Sequence, residues 1–158
     1  MAKLDGFDLK ILARLQEDAS LPLAELAQHV GLSPTPCWRR VQKLEAAGYI
    51  KGRVALLDRE RLKAGVTVFI TVKTSRHSME WLERFHAAVE DLPEIVDFYR
   101  MSGDIDYLLK AYVADIAAYD ALYKKLISRI ELNDVTSMFA MEELKSTTAI
   151  PLGFAVEG

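Results

Sequence analysis

The 158-residue chain is 51% hydrophobic and 27% charged, which places it among folded globular proteins and argues against wholesale disorder. A single cysteine excludes an internal disulfide, three scattered histidines give no zinc-knuckle spacing, and no run approaches eighteen uncharged apolar residues; a reducing, cytoplasmic setting without a membrane span or secretory signal is expected. The net charge of −3 is unevenly spread, because residues 1–57 carry eight basic against six acidic side chains while residues 58–158 carry twelve against seventeen.

In chain order, Phe7, Ile11 and Leu15 recur at four-residue steps with Leu12 beside them, so a first helix starts at Asp5 or Gly6. A second helix holds Pro22 in its first turn, places Leu23, Leu26, Ala27 and Val30 on one side, and ends at Gly31, where a positive φ is cheap. Ser33 is placed to cap a third helix that tolerates Pro34 and Pro36 early, turns Cys37, Val41 and Leu44 inward, and stops at Gly48. Helix, tight turn, helix is the helix-turn-helix pattern. The alternating, β-rich stretch Tyr49–Asp58 predicts a strand pair or short wing, and the charged segment 58–65 a linker.

From Val66 the period changes. Strands over 66–74, 95–101 and 107–115 and a last strand from Val135 alternate with amphipathic helices over 78–92 and 116–130. The order β-α-β-β-α-β predicts a ferredoxin-like sheet with both helices on one face. The expected fold is therefore α+β: a winged helix-turn-helix domain over 1–57, a linker over 58–65, a ferredoxin-like βαββαβ domain over 66–152 and a tail over 153–158.

Val30–Arg53 gathers five cations around Glu45. On the third helix Thr35, Pro36, Arg39, Arg40 and Lys43 remain outside the inward stripe. That suits entry into a major groove, with arginine toward guanine edges, Ser33 and Thr35 hydroxyls toward bases or phosphate, and Lys51 and Arg53 on the flanking backbone. A solvated helix face is the plain alternative for such a charge run. Inward-facing Cys37 reads as a small buried apolar residue, and Trp38 as packing against the second helix or the wing.

The stretch "GLSPTPC" followed by "RV..LE..G.I.G..ALL" resembles the Lrp/AsnC family of bacterial transcription regulators, with details shared by its DecR-like branch; the similarity continues through "SGDIDYLLK" and "FAMEELKSTTAIPL", covering roughly residues 4–152. The resemblance implies a C-terminal RAM-type domain that dimerises through its sheet and assembles to an octamer. It also implies an amino-acid effector such as leucine, methionine or cysteine, bound between dimers, with no cofactor, no metal and no catalytic residue. The effector loop would be Met101, Ser102, Gly103, Asp104, Asp106 and Tyr107: glycine permits close backbone approach, amides hold a carboxylate, and the aspartates accept from an ammonium group. A second wall would come from Thr136, Ser137 and Met138, with Thr147 and Thr148 from a neighbouring dimer, although Met138 and Met141 also read as core residues. A polar β-turn is the plain reading of the loop.

The competing class is a small-molecule-binding ferredoxin-like enzyme using Asp104 and Asp106, or Asp106 with His77 or His86. His86 reads better as a partly buried, hydrogen-bonded helix residue. There is no phosphate loop, nucleophile elbow or HExxH motif. The expected protein is a cytoplasmic, DNA-binding regulator of amino-acid metabolism.

Overall fold

The structure, a computed structural model, describes residues 4–75 and 78–155. Three helices come first: α1 (Gly6–Glu17), α2 (Leu23–Val30) and α3 (Pro34–Ala46). Asp5 starts α1 through a capping box, its carboxylate accepting from the amides of Phe7 and Asp8 while the Asp8 carboxylate accepts from the Asp5 amide. Gly31 and Gly48 take left-handed φ values of 75° and 76° and let the chain close α2 and α3 with reciprocal 6→1 and 5→2 bonds. Ser33 occupies the cap position of α3, but its side chain makes no capping bond there; two prolines in the first turn remove donors that a cap would otherwise satisfy. Ile11, Leu26, Ala27, Val30, Cys37, Val41 and Leu44 close the core.

Beyond α3, Tyr49 and Ile50 pack against that core, but residues 51–58 form no strand, so the expected strand pair is absent. Val54, Leu56 and Leu57 are all exposed; with no second strand beside them the segment has no ladder to join.

The second part is a four-stranded antiparallel sheet of β1 (Val66–Lys73), β2 (Ile95–Arg100), β3 (Tyr107–Val113) and β4 (Asp134–Phe139), in the order β2-β3-β1-β4. Helices α4 (Met79–Glu90) and α5 (Ile116–Arg129), capped by Ser78 and Asp115, cover one face. Val68, Ile70 and Val72 of β1 and Tyr107, Leu109, Ala111 and Val113 of β3 point toward them, as period-two alternation requires. β4 ends at Phe139, so the expected long last strand is short, and residues 140–151 carry no helix or strand.

Contacts divide the chain into two compact units: residues through Leu56 together with the chain from Lys145 on, and Leu57–Leu144. Residues 145–152, expected in the ferredoxin-like domain, fall with the helices. The Gln16 side chain explains this, since its amide donates to the Ile150 carbonyl at 3.2 Å and accepts from the Ile150 amide at 2.9 Å. Thr148, Ile150 and Leu152 border a cavity of about 510 Å³ against Leu12, Leu15 and Tyr49. Residues 58–65, expected as a linker, belong to the sheet unit: Arg59 donates to Thr67 Oγ1 (2.8 Å) and Glu143 (2.6 Å), and lies 4.3 Å from the Tyr112 ring.

Candidate DNA-reading face and ligand loop

Helix α3 presents its outward side because Cys37, Val41 and Leu44 fix its inward one. Burial pushes the Cys37 thiol above its usual pKa and holds it as a neutral core residue. Thr35, Pro36, Arg39 and Lys43 are exposed, and Arg39 and Lys43 make no ion pair among the described residues. Pro36, Arg39, Arg40 and Lys43 line a shallow groove together with Asp5.

Arg40 differs from its neighbours. Its guanidinium donates to Asp5 Oδ2 and Asp8 Oδ1, both at 2.7 Å, and sits 5.3 Å from the Phe7 ring. Asp8 is almost fully buried and Arg40 about 30% exposed, so this triad welds the start of α1 to α3. The Asp8 backbone amide and then the Arg40 guanidinium hold the Asp5 carboxyl below its usual pKa, while both carboxylates push Arg40 further up. Arg40 therefore leaves the set of free cations that the sequence suggested. Arg53 is also engaged, donating to Glu45 at 3.0 Å, whereas Lys51 is exposed.

Two further residues share the outward region. Gln42 is exposed and donates to Glu45 Oε2 at 3.0 Å; the search for cations passed it over, although it stands seven residues after Thr35 on the same helix side. Trp38, half exposed, flanks Leu23, Leu26 and Gln42 along a groove beside α2, in line with a packing role.

In the sheet unit, the turn between β2 and β3 carries Met101, Ser102, Gly103 and Asp104 on the surface, with Gly103 at φ 113°, a conformation that side chains rarely adopt. Asp104 makes no bond to any described residue. Asp106 is occupied instead: its carboxylate accepts from the Thr74 amide at 2.8 Å, its amide donates to Val72 and its carbonyl accepts from Met101. Tyr107, expected at the ligand, is buried among Trp81, Phe85 and Phe98, because the first residue of β3 already faces the helices. Thr136 and Met138 lie exposed on the open sheet face, while Ser137 points to the helix side and bonds the Tyr119 hydroxyl. The three cannot form one wall, since neighbours in a strand face opposite ways. Met141 is also exposed, so the core reading fails for both methionines.

The enzyme constellation is not assembled either. Asp106 is committed to backbone, Asp104 projects outward, and His86 is exposed near Glu90 rather than partly buried; His77 lies outside the described residues. His29 is exposed and bonds the Glu25 carbonyl.

Residues 4–51 match the winged helix-turn-helix DNA-binding family, and residues 67–150 the Lrp/AsnC ligand binding domain. The chain belongs to the Lrp/AsnC family. It is 53% identical over 150 residues to the glutamate uptake regulatory protein of Zymomonas mobilis, covering 95% of this chain and 92% of that one. With the DNA-binding transcriptional activator DecR of Escherichia coli it shares 48% over 150 residues, covering 94% and 99%. An AsnC family transcriptional regulator from Agrobacterium tumefaciens superposes with a TM-score of 0.93 at 57% identity, covering 96% and 99%. A Neisseria meningitidis regulator crystallised with L-methionine superposes at 0.91 and 38% identity, with the same coverage. Like its relatives this member of the family is a DNA-binding transcription regulator and not an enzyme, with a reading unit of helices and a ligand-binding unit built on the sheet.

Proposed function

We propose that α3 enters the major groove of double-stranded DNA, with Thr35, Pro36, Arg39 and Lys43 meeting it, Ser33 and the α3 N-terminus near phosphate, and Lys51 on the flanking backbone. The observation that carries this is the outward placement of Arg39 and Lys43 without acidic partners, next to an Arg40 that is fully engaged. Arg53 joins only by leaving Glu45, an exchange of one exposed ion pair for another.

In a gel-shift titration against salt, Arg39→Ala with Lys43→Ala lowers the slope of log affinity against log salt by roughly two units, about one for each lost phosphate contact. Arg40→Ala leaves that slope in place and lowers the melting temperature instead. If the double variant binds with the wild-type slope, the outward face of α3 is not the reading surface.

The ligand-binding unit takes an amino acid at the turn Met101–Asp104, with Thr136 and Met138 as candidates for a further contact. The Neisseria complex with L-methionine supports this class, and leucine and cysteine are the other candidates. Asp106 contributes by shaping the turn through Thr74 rather than by meeting the ligand. A ligand that binds only the folded form raises its melting point. Methionine, leucine or cysteine at millimolar concentration should produce such a rise in the wild type, and Asp104→Ala should abolish it; an undiminished rise in that variant removes the loop from the site.

The regulator works as an oligomer, a dimer assembling further toward an octamer, in the cytoplasm. Exposed Val54, Leu56 and Leu57 supply apolar surface that the single chain leaves uncovered, which supports assembly. No helix among the described residues is long and apolar enough to cross a membrane.

A further inference from the structure

We infer that Gln42 reads an adenine in each half-site and is the main source of A·T preference in this regulator's operator. The inference rests on the proposal that α3 lies in the major groove.

Thr35, Arg39 and Gln42 follow one another at steps of four and three along α3, so they form one outward row about two turns long. Side chains spread over two turns of a helix lying in a groove can reach base edges. Within that row the chemistry differs by residue. Arg39 matches the two acceptors of guanine, and a threonine hydroxyl discriminates little. Only the carboxamide of Gln42 offers one donor and one acceptor side by side, the pattern that adenine N7 and N6 require.

The amide is also oriented. Glu45 is an ionised carboxylate that can only accept, so the Gln42 atom bonded to it at 3.0 Å is the nitrogen, and which end is oxygen follows from the partner. One of the two N–H groups is spent on Glu45. The other N–H and the Oε1 acceptor remain, and these are the two groups a bidentate adenine contact uses. Glu45 is itself held by Arg53 at 3.0 Å, so a short chain from Arg53 through Glu45 to Gln42 restricts the amide before DNA arrives. Restricting a side chain in advance lowers the ordering cost of binding.

The alternative role for Gln42 is a surface hydrogen bond to Glu45 and nothing more. The two are separated by measuring relative affinities of the full-length protein for a library of operators randomised at each half-site position. The wild type should prefer adenine at one position by about 5- to 150-fold, the range of a good bidentate base contact. Gln42→Ala should lose that preference at that position and no other, and Gln42→Arg should move it to guanine. Lys43→Ala, in contrast, should weaken every sequence alike. If Gln42→Ala and Gln42→Arg, folded by melting temperature, keep the wild-type adenine preference, the inference is overturned while the groove-binding proposal stands. If the wild type shows no sequence preference at all, both fall.

Discussion

Trp81, Phe85, Phe98 and Tyr107 meet ring to ring inside the sheet unit, with Phe85 centred 5.1 Å from Trp81, 4.8 Å from Phe98 and 5.3 Å from Tyr107. The helical unit closes on aliphatic side chains and Cys37, with no fully buried aromatic among the described residues, and adds the Arg40–Asp5–Asp8 triad at its edge. The difference follows from what each unit must expose. A sheet covered by two helices can spend a whole face on apolar burial. Three short helices that must leave one side of α3 to DNA have little apolar area left, so the angle of α3 is fixed partly by charge and geometry.

The largest effect is expected in the aromatic core. Phe85→Ala should destabilise the sheet unit by about 3–5 kcal/mol, through lost transfer energy and a cavity between α4 and β3. Urea unfolding checks this, and a loss below about 1 kcal/mol would mean that the core tolerates collapse there.

The next effect tests the triad. Asp8→Ala should cost about 1–3 kcal/mol, since it removes a charge-assisted hydrogen bond from a half-buried guanidinium that keeps only its more exposed partner, Asp5. The same change should weaken DNA binding without altering its salt slope, because α3 loses its anchor but no phosphate contact. Unchanged unfolding in urea would show that aliphatic packing alone sets α3.

The smallest effect is a pH dependence. The Asp5 carboxyl is held below its usual pKa by the Asp8 amide and Arg40, so its contribution is present above the ordinary carboxylate range and is lost as pH falls below about 4. Asp5→Asn keeps a capping side chain but loses the charge. Its melting temperature should lie below wild type at pH 7, and the gap should close on acidification toward pH 3. A gap that stays constant would assign Asp5 to capping alone.

Much of this comparison was legible along the chain. Helix bounds fell within about two residues because their signals are local: Asp5, Ser78 and Asp115 at starts, Gly31 and Gly48 at ends, and apolar steps of three and four between. The site was harder. Arg40 looked like Arg39 because its acidic partners lie 32 and 35 residues away, and Asp106 looked like Asp104 because its partner, the Thr74 amide, is 32 residues back. For Ser137 the signal was present, since strict alternation separates it from Thr136 and Met138. Gln42 was hidden by attention to charge.

The order of elements, the inward stripes and the family followed from sequence, because periodicity and caps depend on neighbours a few residues apart. Tertiary structure decided which polar side chains were already spent, on Arg40 with α1, Asp106 with Thr74 and Ile150 with Gln16. A hydrogen bond or ion pair needs its partner within about 3 Å, and only the folded chain brings residues that far apart in sequence to that distance.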